Sequence, residues 1–143
     1  MNRIYFAYGM NMDFAAMAKR CPAARCLGLA RLPRHRFGIN RRGVSTVLPD
    51  DAGCVHGVLW ALTRACEASL DGYEGVSVGH YAKHDRPVLA IAADGERERR
   101  ALVYIATDQR PGPPRQPYFD TVRAAAGAHG FPADYLAALD ALR

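Results

Sequence analysis

The chain has no long apolar run. Nothing in its 143 residues approaches the roughly 18 apolar positions of a membrane-spanning helix, and no charged-then-apolar secretion signal opens it. The cytoplasm is therefore the expected address, with no membrane partner. Cysteine is sparse: Cys21, Cys26, Cys54 and Cys66 are irregularly spaced and include no Cys-x-x-Cys pair. That spacing argues against a zinc site, and the expected compartment argues against a disulfide framework. The four are read as reduced, mostly buried thiols. Also missing are a Gly-x-Ser-x-Gly elbow and a Walker-type lysine loop. The histidines at 35, 56, 80, 84 and 129 lack ligand spacing, and His80 and His84 flank Tyr81 in a strand-like context. No metal and no organic cofactor is suggested.

What the chain does have is an ordinary globular composition, 50% hydrophobic and 23% charged, in a length that suits one domain over residues 1–143. Its net charge of +5 and pI near 9.3 raise the question of nucleic acid. Of 19 basic residues, however, only Lys19 and Lys83 are lysines, and alanine is heavily used. This pattern reads as a compositional bias, and no nucleic-acid partner is expected. The run "RLPRHRFGINRR" (Arg31 to Arg42) either contacts anions or is a solvated strand edge where charge blocks self-pairing.

Along the chain, Ile4 to Tyr8 reads as a short buried strand. Asp13 offers an N-cap for a helix through Phe14, Met17 and Ala18 that Pro22 closes. Cys26 to Leu32 is strand-like, Pro33 interrupts it, and Arg36 to Ile39 resumes. Val44 to Leu48 is another strand, ended by the turn cluster "PDDAG" at Pro49 to Gly53. "CVHGVLWAL" (Cys54 to Leu62) is apolar on both faces, as in the centre of a sheet or barrel. Thr63 caps a helix that runs out at "DGYEG". Pro87 to Ala93 and Arg99 to Ala106 form a hairpin about "ADGE". A proline-rich loop (Arg110 to Pro117) and two short helices, near Tyr118 to Ala128 and Ala133 to Leu142, follow. Strands with a few inserted helices, without regular βαβ alternation, make a mixed α/β or α+β domain.

Two stretches can carry chemistry. In "LDGYEGVSVGHY" (Leu70 to Tyr81), Glu74 stands between an aromatic residue and a glycine. In a dry pocket its pKa rises and it becomes a useful base; on a solvated loop it is an ordinary surface glutamate. In "YGMN" (Tyr8 to Asn11), a strand-to-helix corner with glycine either presents unpaired backbone N–H groups to an anion or is a plain turn.

Four ordered motifs change this reading. "YFAYGMNM", "GVLWAL", "LDGYEGVSVGHY" and a late "YIA" followed by the proline-rich loop together resemble the gamma-glutamylcyclotransferase-like family. Its members open with a Tyr-Gly-Ser-Asn type loop and carry Glu-Gly-Val-x-x-Gly-x-Tyr. The likeness extends to the ending "GAHGFPADYLAAL" (Gly127 to Leu139). It implies a single domain built around a curved, barrel-like sheet with flanking helices. It also implies a catalytic carboxylate at Glu74, a ligand-cradling loop at Tyr8, Gly9, Met10 and Asn11, and pocket tyrosines at Tyr81, Tyr104 and Tyr118. The implied reaction needs no cofactor: the α-amine of a gamma-glutamyl amino acid, peptide or amine attacks its own side-chain carbonyl and releases 5-oxoproline. The chain departs from the family at Met10, where serine is usual. That departure keeps a second reading open, a non-catalytic module that binds a small carboxylate. A homodimer is compatible with the resemblance, and no stretch marks the surface that would pair.

Overall fold

The computed structural model describes residues 2–143. Its elements in chain order are β1 (Arg3–Ala7), α1 (Phe14–Arg20), β2 (Arg25–Ile39), β3 (Ser45–Leu62), α2 (Arg64–Tyr73), β4 (Tyr81–Ala92), β5 (Gly95–Ala106), α3 (Tyr118–Ala128) and α4 (Ala133–Asp140). Short 3-10 turns sit at Met10–Met12 and Val76–Val78. The five strands close a barrel in the order β1-β3-β2-β4-β5, and β5 returns to β1 in parallel through Tyr5 and Leu102. This is the expected α+β architecture with a curved sheet and flanking helices. No helix among the described residues is long and apolar enough to cross a membrane.

Period-two alternation explains why the central strands are apolar on both faces. Phe6 and Tyr8 of the first strand segment, Val55 and Leu59 of β3, and Ala101, Val103 and Ile105 of β5 share one core with no helical residue in it, which places that core inside the barrel. Tyr5, Ala7, Val58, Trp60, Leu62, Leu102 and Tyr104 point the other way. They pack under Met17, Cys66, Leu70, Phe119 and Val122 of the helices. Two helices start as the sequence implies. The Asp13 carboxylate accepts from Ala16 N at 2.9 Å, and the Thr63 hydroxyl accepts from Cys66 N at 3.1 Å.

Four expectations are corrected. "PDDAG" does not end a strand: Ser45 to Leu62 is one continuous strand against β2. The register shifts where Pro33 pairs with Cys54 and His35 with Pro49, so the turn-forming residues bulge rather than reverse the chain. Pro33 likewise interrupts the pairing and not the strand, with Arg34 absorbing the distortion at φ 63°. The hairpin strands are also longer than expected, because β4 begins at Tyr81 and β5 at Gly95, and both are paired throughout. Of the four free cysteines only Cys21 and Cys66 are buried; Cys54 is half-buried and Cys26 is exposed.

Candidate active site

The end of β1, the start of β3, the end of α2 and the starts of β4 and α3 converge on one cavity of about 260 Å³. Glu74, Tyr8, Gly9, Met10, Asn11, Tyr81, Tyr104 and Tyr118 all line it, although they come from distant parts of the chain. Among the described residues no cluster of histidine, cysteine and carboxylate side chains is arranged to hold a metal ion.

Glu74 is placed by the way α2 stops. Its N–H closes the last helical turn onto Leu70 O at 2.8 Å, and Gly75 follows in the left-handed region at φ 62°. Only glycine takes this conformation readily, and a Cβ there would lie 2.7 Å from the His80 ring. The helix end therefore turns sharply and leaves the Glu74 side chain on the cavity wall. No hydrogen bond or ion pair engages its carboxyl among the described residues. Burial pushes its pKa up to about 7, and the Arg20 charge opposes that rise.

The Tyr8–Asn11 corner lines the same cavity. Met12 N donates to Gly9 O at 3.1 Å and Asp13 N to Met10 O at 3.0 Å. The N–H groups of Met10 and Asn11 open this 3-10 turn, where no acceptor exists within the turn itself. Gly9 is needed for a close approach: a Cβ would meet Ser45 Oγ at 3.1 Å and the Tyr118 hydroxyl at 3.4 Å. The Asn11 side chain is fully engaged, donating to the Tyr5 hydroxyl at 3.0 Å and accepting from Arg20 at 2.9 Å. Its carbonyl accepts from Trp60 Nε1 at 3.1 Å. The corner is thus pinned from three sides.

The tyrosines differ in what their hydroxyls have left to offer. Tyr8 donates to Tyr104 O in a short bond, Tyr81 donates to Ser45 O at 2.6 Å, and Tyr104 donates to Asp71 at 2.7 Å. Each of these phenols has one proton, so all three are engaged. Tyr118 is different. Its oxygen accepts from Ser45 N at 3.0 Å and lies 2.7 Å from Ser45 Oγ. When the serine donates, the Tyr118 proton is free for the cavity. Burial raises the pKa of all four, which keeps them protonated near neutrality.

Arg20, Arg42, Ser45 and Arg115 also line the cavity. Arg42 ends the arginine-rich run and Arg115 lies in the proline-rich loop, whereas no sequence motif marks Arg20 or Ser45. In a chain this rich in arginine, only the tertiary fold distinguishes the three that reach the site.

A closed barrel whose polar cavity is lined by a partly desolvated carboxylate and a glycine-bearing corner is the gamma-glutamylcyclotransferase-like fold. The chain belongs to the AIG2-like family, whose family model matches residues 54–139. The human gamma-glutamylcyclotransferase is 28% identical over 149 aligned positions, covering 97% of this chain and 78% of the human protein. Its bovine counterpart is 25% identical with the same coverage. A solved structure named gamma-glutamyl cyclotransferase superposes with a TM-score of 0.89 at 26% identity, covering 100% of this chain and 89% of the other. With such relatives over nearly its whole length, the chain is an enzyme of this type.

Proposed function

We propose that the chain cyclises gamma-glutamyl amino acids, peptides or amines, releasing 5-oxoproline, with Glu74 as the general base. The observation that carries this reading is the Glu74 carboxyl itself: it lines the cavity, has no protein partner among the described residues, and is held near pKa 7 by burial. A base with a pKa near neutrality is partly ionised at neutral pH and can both take and return a proton.

In this reading the N–H groups of Gly9 to Asn11 hold the substrate α-carboxylate. Glu74 takes a proton from the α-ammonium. The neutral amine then attacks the γ-carbonyl carbon, forming the C–N bond of a five-membered lactam. The nucleophile is tethered to its target, so proximity supplies much of the rate. As the carbonyl oxygen gains negative charge it accepts a hydrogen bond from the Tyr118 hydroxyl, whose proton is left available when Ser45 donates to the Tyr118 oxygen. The C–N bond to the leaving group breaks as Glu74 gives its proton to the departing nitrogen, and the carboxylate so regenerated takes the second proton from the ring nitrogen, leaving a neutral lactam; that proton leaves with the released amine as its ammonium.

The test is 5-oxoproline release from a panel of gamma-glutamyl compounds. The Glu74→Gln variant is expected to lose about 10²- to 10⁴-fold in turnover, the usual contribution of a positioned acid–base group. Turnover at the wild-type rate in this variant would falsify the assignment.

A further inference from the structure

The cavity is lined by three arginines and one carboxylate. Arg20 is engaged with Asn11 and stacked on Tyr73. Arg42 and Arg115 are not so engaged: neither has a carboxylate partner among the described residues, whereas Arg41 and Arg110 nearby both pair with Asp108. Two guanidinium groups on one cavity wall without a carboxylate partner favour an anion bound there.

Their position is fixed by the same stitching that holds Tyr118. Arg42 lies three residues before Ser45, and Arg115 three before Tyr118. Arg115 N donates to Gly43 O at 3.0 Å, and Arg115 Nε donates to Arg42 O at 3.1 Å. The Arg42 turn is shaped in turn by Asn40, whose side-chain oxygen accepts from Arg42 N at 3.0 Å. Gly43 sits at φ 82°, where a Cβ would meet Arg115 N at 2.9 Å. The two segments therefore run as a joined pair up to the Ser45–Tyr118 contact, carrying both arginines on the same side.

We infer that Arg42 and Arg115 form a clamp for a carboxylate on the leaving group, selecting gamma-glutamyl compounds whose departing amine is an amino acid over those whose departing amine is uncharged. This rests on the proposed reaction. A γ-carbonyl at the Tyr118 hydroxyl leaves the departing group to extend along Arg42 and Arg115. Charge favours this as well. The substrate α-ammonium and α-carboxylate cancel, Glu74 offsets one of the three arginines, and a leaving-group carboxylate offsets a second.

The test compares gamma-glutamyl-alanine with gamma-glutamyl-alaninamide, which differ only in that carboxylate. In the wild-type protein kcat/KM is expected to favour the acid by about tenfold or more, as charge-assisted hydrogen bonds commonly do. In Arg42→Gln, Arg115→Gln and the double variant the ratio falls, reaching about one in the double variant. Because both compounds meet the same preparation, the ratio does not depend on the fraction of protein folded. A wild-type ratio near one overturns the clamp, as does a preference that survives in the double variant. Release of 5-oxoproline from the amide with no preference leaves the reaction standing without the clamp. Release from neither compound removes both.

Discussion

Arg20 donates to Asn11 Oδ1 at 2.9 Å while its guanidinium lies 4.7 Å over the Tyr73 ring. One side chain at the end of α1 thus braces the Tyr8–Asn11 corner and covers the residue that precedes Glu74. It is also the cation whose charge restrains the rise in the Glu74 pKa. The two walls of the cavity are coupled through it.

Replacing Arg20 by methionine separates these roles. Without the charge, the Glu74 pKa moves further above 7. Since the proposed base must be ionised to act, the acid limb of kcat/KM is expected to shift to higher pH, by up to about one unit. Asn11 Oδ1 also loses its partner, which destabilises the corner by about 1–3 kcal/mol. A pH–rate profile and a thermal melt measure the two effects separately. An acid limb that stays in place would show that Arg20 acts on the corner alone.

Glu74 itself should weaken the fold as pH rises. Its folded pKa of about 7 lies above the model-peptide value of 4.5, so between these values the unfolded chain has released a proton that the native state retains. Stability contributed by this group is full below about 4.5, declines across the interval, and is lost above 7. Glu74→Gln has no such proton. Relative to wild type it gains stability between pH 5 and pH 8, on the order of 1–3 kcal/mol, readable by urea unfolding at both values. The other ionisable groups cancel in the comparison.

Local chemistry made much of the fold legible. The Asp13 and Thr63 caps, the two-faced strand through Trp60 and the glycine after Glu74 each act within a few residues, and each does in the structure what its sequence context implies. "PDDAG" misleads because a long-range fact, its pairing with β2 around Pro33, absorbs the turn residues as a bulge. Arg42 and Arg115 are hidden for a related reason. Nothing near either one in sequence separates it from Arg41 or Arg110, which find Asp108 instead. The convergence of Tyr8, Glu74 and Tyr118 came from the ordered motifs and not from any single stretch.

The tyrosines should be unequal. Tyr118→Phe removes the hydroxyl whose proton is left for the cavity when Ser45 donates to it, and under the proposed mechanism kcat is expected to fall about 10²-fold or more, as for loss of an oxyanion donor. Tyr81→Phe removes a buried bond to Ser45 O, so its main effect is on stability, about 1–3 kcal/mol. Measuring kcat and the melting temperature for both variants gives a crossed pattern. Equal losses of kcat in the two would assign the donor role to neither hydroxyl in particular.

Met10 stands on the cavity wall where the family loop usually has serine. The N–H of residue 10 opens the 3-10 turn whichever side chain it carries, so the amide cradle survives substitution. A serine hydroxyl there would add one hydrogen bond to a bound carboxylate, worth about 0.5–1.5 kcal/mol. Met10→Ser is therefore expected to keep 5-oxoproline release and to lower KM by about two- to tenfold, with kcat changed less. If KM is unmoved, residue 10 contributes through its backbone alone. If release stops, the thioether itself packs against the substrate, and the methionine marks a pocket shaped for a different gamma-glutamyl compound.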